Sequence, residues 1–230
     1  GGSGVSVSTL ASIPAGPVSI EGMLEIPEHA AGLVLFAHGS GSSRLSPRNN
    51  HVAGVLRQAG VGTLLMDLLT PAEDRDYDRR FDIALLTQRL LDATRWVVSQ
   101  PATCELPLGF FGASTGAAAA LEAAAILGPD ARAVVSRGGR PDLASREALR
   151  TVTAPTLAAR SSSAAAVASG QIRMLRPRPP RRDSSGRAAS AAWAVACVSP
   201  GLLPSATKAR LVTPRLANGR LPRRPCGDAV

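Results

Sequence analysis

The sequence predicts an α/β fold, a mostly parallel sheet flanked by helices. Three observations carry that reading. Apolar runs without a polar face recur at residues 32–37, 61–67, 106–111 and 131–136, the pattern of strands buried on both faces of a parallel sheet. Stretches of helical length lie between them, as βαβ units require. Gly112-Ala113-Ser114-Thr115-Gly116 joins one apolar run directly to an alanine-rich stretch, a strand–turn–helix transition of G-x-S-x-G form.

Each element follows from its residues. Val5-Ser6-Val7-Ser8 and residues 18–26 alternate with period two and predict antiparallel strands opening the sheet, one face solvated. Residues 32–37 predict a buried strand that runs into His38-Gly39-Ser40-Gly41-Ser42-Ser43. Residues 49–58 predict a helix with Val52, Val55 and Leu56 on one side, stopped by Gly60. Residues 61–67 are the next buried strand. Ile83, Leu86, Leu90, Thr94 and Val97 then share one helical face, with Asp82, Gln88, Arg89, Asp92 and Arg95 mostly elsewhere, and Pro101 marks the stop. Residues 117–125 have strong helix propensity. Residues 131–136 and Ala154-Pro155-Thr156-Leu157 predict two further strands.

The G-x-S-x-G turn carries the chemistry. Gly112 and Gly116 are the elbow glycines, because a side chain at either would crowd neighbouring backbone in so tight a turn. Ser114 at its tip is the candidate nucleophile, backed by a helix N-terminus that favours developing negative charge. In this arrangement the residue after the serine and the loop after an earlier strand donate backbone N–H groups to an oxyanion. Thr115 and Ser40 are the expected donors, with Gly41 as the alternative to Ser40. The G-x-x-x-x-G-K-[ST] phosphate loop is absent.

Three segments in order resemble a known family: residues 35–43 around His38-Gly39-Ser40-Gly41, residues 111–119 around the elbow, and Val134-Val135-Ser136-Arg137-Gly138-Gly139-Arg140-Pro141-Asp142-Leu143. They are similar to bacterial α/β-hydrolases of the dienelactone-hydrolase-like group, some of which are fused to phosphoribosyltransferase domains. The resemblance covers roughly residues 5 to 157. It implies an eight-stranded α/β-hydrolase-type sheet acting on a carboxylic ester or lactone, a small-molecule substrate, with no cofactor and no metal. Dienelactone hydrolases proper use a cysteine nucleophile, whereas this elbow carries Ser114.

Beyond residue 157 the chain changes character. Residues 1–157 hold 13 Arg and 15 acidic residues, a net of −2. Residues 158–230 hold 13 Lys+Arg against Asp183 and Asp228, a net of +11. This segment has no Phe, Tyr or Glu, and repeated Arg, Pro, Ala and Ser. Such a composition cannot bury enough apolar surface to offset chain entropy. It predicts a basic, disordered tail after a hydrolase portion that is C-terminally incomplete. Basic stretches 176–187 and 210–224 offer a polyanion or nucleic-acid binder as the alternative function, although the aromatic platforms of single-strand binders are missing.

The catalytic triad order of this fold is Ser, then Asp or Glu, then His. His29, His38 and His51 all precede Ser114, and no histidine follows it. His38, at the oxyanion loop, is expected to orient backbone rather than act as base. Asp142 is expected in a turn or helix-cap role. The expectation is an impaired hydrolase or a non-catalytic relative. Ser162-Ser163-Ala164-Ala165, written in GC-rich codons and read one nucleotide earlier, gives an aliphatic residue and then Val-Gly-Gly, which would continue a strand into a glycine turn. A frameshifted or mispredicted C-terminus is the account this suggests. Gly1-Gly2-Ser3-Gly4 reads as a fragment end or linker scar. Three cysteines without metal-site spacing predict reduced thiols in a cytoplasmic protein, and no apolar run reaches membrane-spanning length.

Overall fold

The computed structural model describes residues 5–159. The expected tail from residue 160 on, its basic stretches included, lies outside the described residues. Within them, strands β1 (Val5–Ala15), β2 (Val18–Pro27), β3 (Leu33–Ala37), β4 (Gly62–Met66), β5 (Leu108–Ala113), β6 (Ala131–Arg137) and β7 (Thr156–Ala159) form one sheet. Helices α1 (Pro47–Gln58), α2 (Ile83–Ser99), α3 (Thr115–Leu127) and α4 (Arg146–Thr151) connect them. The order is β1-β2-β4-β3-β5-β6-β7. β1 and β2 are antiparallel, β2 meets β4 antiparallel, and β4, β3, β5, β6 and β7 run parallel. This is the expected mostly parallel α/β sheet, with seven strands among the described residues.

Both faces of the parallel strands are buried, and alternate residues serve opposite layers. Leu33, Leu35, Leu64, Met66, Phe110 and Val134 face α2 and α3, packing with Leu86, Leu90, Val97 and the alanines of α3. Val34, Phe36, Leu65, Phe111 and Val135 face the α1 side, with Val52, Ala53 and Leu56. Phe36 and Phe111 meet with ring centroids 4.9 Å apart. The alanine run in α3 lets that helix lie close to β5, because small side chains permit close backbone approach.

Local signals set the boundaries, with some corrections. α1 starts at Pro47 rather than Asn49, since Ser46 caps it by accepting from the Asn49 N–H and proline suits the first helical position. β1 continues to Ala15, well past Ser8. It is the edge strand, where Pro14 is tolerated because a missing N–H need not break a ladder. Residues 73–75 and 78–81 form two 3₁₀ turns between β4 and α2. Cys104 is disulfide-bonded, which corrects the expectation of reduced thiols; three cysteines leave room for one bridge. Among the described residues no helix is long and apolar enough to cross a membrane.

Arg89 is the largest correction. Expected off the apolar face of α2, it is 4% exposed. Its guanidinium donates to the Ala15 carbonyl and pairs with Glu73 Oε1 at 2.8 Å. Glu73 also accepts from the Thr70 N–H, so Arg89 ties the β1–β2 turn and the β4–α2 connection to α2. Arg89→Ala leaves the Ala15 carbonyl without its cation and the half-buried Glu73 carboxylate with Arg79 alone. It is expected to cost about 3 kcal/mol in urea unfolding, whereas Arg146→Ala, at an exposed position of α4, changes the midpoint little.

Candidate active site

Strand order places the site. β3 lies between β4 and β5, so the chain leaves β3 toward one side and returns as β5 on the other. Such a switch point opens a crevice at the carboxyl ends of the strands. The loop after β3 holds His38–Ser43 by number, residues 38–43, and the turn after β5 holds Ser114. The sequence segments that carried the resemblance therefore converge at one sheet edge.

The elbow is strained as its sequence requires. Ser114 has φ 51° and ψ −120°, a left-handed conformation that L-residues rarely adopt and that costs on the order of 1–3 kcal/mol. Its carbonyl accepts from the Ala117 N–H at 3.0 Å, and its N–H points to the Arg137 carbonyl at 3.4 Å. Glycines on either side make this possible. A Cβ on Gly112 would lie 2.6 Å from the Gly116 oxygen, and one on Gly116 would lie 2.6 Å from the Ala37 carbonyl carbon. The start of α3 is thus pressed against the end of β3. Gly39 was not singled out by the sequence alone. A Cβ there would sit 3.0 Å from Ser114 Cβ and 3.2 Å from the Ala113 oxygen, so the post-β3 loop rests directly on the elbow.

The expected oxyanion donors come to this junction. Thr115 is 1% exposed, Ser40 is exposed, and both line a small recess with His38, Gly39, Leu69 and Arg80. Neither backbone N–H has an acceptor among the described residues. The Thr115 hydroxyl is buried and also without a partner among them. Gly41, the alternative donor, has φ +68° and lies beside Arg80.

His38 is occupied by backbone. Its Nε2 lies 3.0 Å from the Leu68 N–H, and its Nδ1 lies 2.9 Å from the Gly39 carbonyl. A backbone N–H can only donate, so Nε2 accepts and the proton sits on Nδ1. Burial lowers the His38 pKa below the ordinary histidine value. The ring holds the post-β3 loop to the post-β4 segment as a neutral strut. His29 lies at the amino end of β3, the edge away from Ser114, and His51 is exposed on α1. Asp142 sits in a 3₁₀ turn, Pro141–Leu143, and both its oxygens take hydrogen bonds from Arg140 at 2.7–3.1 Å. Its exposed carboxylate is held below the usual pKa by those bonds; it belongs to a turn and caps no helix.

Two further residues fix the loop, and local sequence pattern gave no sign of them. Arg44 donates from its backbone to Asp67 Oδ1 at 2.7 Å, and its guanidinium bonds Asp67 and Glu21. Arg137 donates to Asn49 Oδ1 at 3.3 Å, joining the end of β6 to the first turn of α1. Their partners lie 23 and 88 residues away, beyond any periodicity.

The chain was compared with known proteins. No family model matches it. A Mycobacterium tuberculosis protein, found in strains CDC 1551 and H37Rv and provisionally named a phosphoribosyl transferase, is 59% identical over 145 residues, 63% of this chain and 32% of that protein. The chain therefore spans about one third of the length of that curated relative. The crystal structure of a dienelactone hydrolase from Anabaena variabilis shares 55% identity at a TM-score of 0.63, covering 66% of this chain and 72% of that one. A dienelactone hydrolase-like promiscuous phosphotriesterase from metagenomic libraries shares the fold at 17% identity and a TM-score of 0.55, covering 73% and 77%.

Two measurements follow from this geometry. Gly116→Ala is expected to lose about 1–3 kcal/mol or more of stability by overpacking, whereas Gly54→Ala, whose Cβ would meet nothing nearer than Arg57 at 4.0 Å, gains about 1 kcal/mol of helix propensity; urea midpoints check both. His38 also sets a pH dependence. Its folded pKa is depressed, so its contribution to stability is complete above the unfolded value of 6.5 and declines as pH falls below it toward the folded pKa. Unfolding midpoints measured downward from that pH should fall, and His38→Ala should remove this part of the slope.

Proposed function

The chain belongs to the dienelactone-hydrolase-like α/β-hydrolases, and on that premise we propose that it carries the nucleophile and oxyanion half of a serine hydrolase for a carboxylic ester or lactone. One observation supports this most: Ser114 is held at positive φ between glycines walled by backbone, with Gly39 of the post-β3 loop against its Cβ. Strain of that kind persists only where the surroundings over-determine it. In the proposed reaction Ser114 Oγ attacks the carbonyl carbon of a small-molecule substrate. The Thr115 and Ser40 N–H groups take the developing oxyanion, and the alkoxide or ring oxygen leaves with the proton the serine gives up through the base as the acyl-enzyme forms. Water then releases the acid.

The proposal assigns no base among the described residues. Protonation of His38 would cost the Leu68 N–H its acceptor, so it cannot cycle its proton without loosening the loop it holds. We place the acid and the base of the intact fold downstream of β7, where its triad order puts them; residues 158–230 of this chain, read as a basic segment in a shifted frame, hold no histidine to serve as that base. The name of the longer tuberculosis relative we take to describe the part of that protein the chain does not span. The alternatives are a non-catalytic relative of the fold and a polyanion binder working through the basic segment.

Kinetics on activated esters and lactones of several sizes test the proposal. The chain as written should retain only a residual rate, roughly 10³-fold over water from binding and oxyanion donors. A variant carrying the alternative reading frame after Leu157, and with it a downstream Asp and His, should gain about 10²–10⁴-fold. Ser114→Ala should erase that gain. Efficient turnover by the unaltered chain that depends on Ser114 would overturn the missing-base argument. A restored variant inactive on every ester and lactone would overturn the assigned function.

A further inference from the structure

Threonine hydroxyls in the interior of this fold divide into two sets. Thr94 donates to the Leu90 carbonyl, Thr103 donates to the Val97 carbonyl, and Thr63 accepts from Arg57. The Thr87, Thr115 and Thr153 hydroxyls have no partner among the described residues. Of these three residues, Thr115 alone lines the recess that holds His38, Ser40 and Arg80. Taking a hydroxyl out of water without giving it a hydrogen bond costs stability, and such a group in a folded protein calls for an explanation. The charged and imidazole groups that share the recess are already engaged. His38 is bonded to backbone through both ring nitrogens, and Arg80 holds Asp74 at 3.1 Å.

Thr115 thus brings two unpaired donors to one place, its backbone N–H and its hydroxyl. A helical threonine divides between two χ1 rotamers, and either gauche rotamer keeps Oγ1 about 3 Å from the residue's own nitrogen. An oxygen that reaches the N–H therefore stands within reach of the hydroxyl. On the reading of Ser114 as nucleophile, we infer that the Thr115 hydroxyl is a third donor to the oxyanion, beside the Thr115 and Ser40 N–H groups. Thr115 is then a catalytic residue through its side chain as well as its backbone. The hydroxyl serves the transition state better than the ground state, because a hydrogen bond to an ionised oxygen is about twice as strong as one to a neutral carbonyl. It breaks no bond in the free protein to do so, and its dipole is in place before the charge develops. The unpaired hydroxyl is a standing cost in stability that the reaction turns to use.

Three variants of the full chain test this, through the rate at which a fluorophosphonate modifies Ser114 and through urea midpoints. In the labelling step Ser114 Oγ bonds to phosphorus, the P–F bond breaks, and fluoride and the serine proton pass to solvent. The phosphoryl oxygen takes the place of the oxyanion. T115V keeps the backbone N–H and deletes the hydroxyl. It should slow labelling of Ser114 about tenfold and leave the midpoint unchanged or raised, because an apolar group replaces an unpaired polar one. T115S keeps the hydroxyl and should recover most of the lost rate. T103V deletes a hydroxyl that is bonded, so it should lower the midpoint and leave Ser114 labelling as it was. Labelling of T115V at the parent rate, a T115V midpoint that falls as far as that of T103V, or T115S no faster than T115V would each overturn the proposal. A parent chain that takes no label at Ser114 would overturn the nucleophile reading and the proposal with it, a result distinct from equal labelling of parent and variant.

Discussion

Two backbone approaches too close for any side chain, and a third that leaves little room for one, hold this site together. Gly116 puts the start of α3 onto the end of β3, Gly112 lets β5 turn sharply into that helix, and Gly39 lays the post-β3 loop on the turn. Adding a Cβ at Gly112 or Gly116 would push backbone against backbone, which cannot yield as a flexible side chain can. The positive φ of Ser114 follows from these contacts. So does the nearness of the loop that carries Ser40 to the helix that begins at Thr115. The alanine run in α3 extends the same logic outward, because a helix pressed this close to a sheet has room only for small residues.

A second tier of interactions keeps the loop from drifting. His38 bridges the ends of β3 and β4 by two hydrogen bonds to backbone, Arg44 grips Asp67, and Arg137 reaches Asn49. His38 and Arg44 tie the segment between β3 and α1 to the end of β4, and Arg137 ties the end of β6 to the first turn of α1. They also explain why His38, the histidine that lines the recess beside Thr115, is a poor candidate for a base. Its lowered pKa and full hydrogen bonding suit a neutral strut, and the strain at Ser114 is useful only if the loop beside it stays in place.

Much of this was legible in the sequence, for a physical reason. Strands buried on both faces and helices with one apolar face announce themselves by local periodicity, and the G-x-S-x-G turn announces itself by the small residues its geometry demands. Arg89 shows the limit. Its place on the helical wheel suggested solvent, but a long side chain can carry its charge to a carbonyl 74 residues away and a carboxylate 16 residues away. The pairing of Arg137 with Asn49 spans 88 residues and leaves no periodic trace either. Pro14 and Ser12 likewise hid the second half of β1, because tolerance of proline depends on that strand being an edge, a property of the sheet and not of the segment.

The proposed role of Ser114 rests on backbone packing alone setting it apart from the other serines of this chain. Exposing the folded protein to a fluorophosphonate over hours, and mapping adducts by mass spectrometry, asks this directly. The account predicts slow modification concentrated on Ser114, lost when the chain is unfolded in urea. Adducts spread over other serines such as Ser40 at the rate of Ser114, or an equal rate at Ser114 in the unfolded chain, would contradict it.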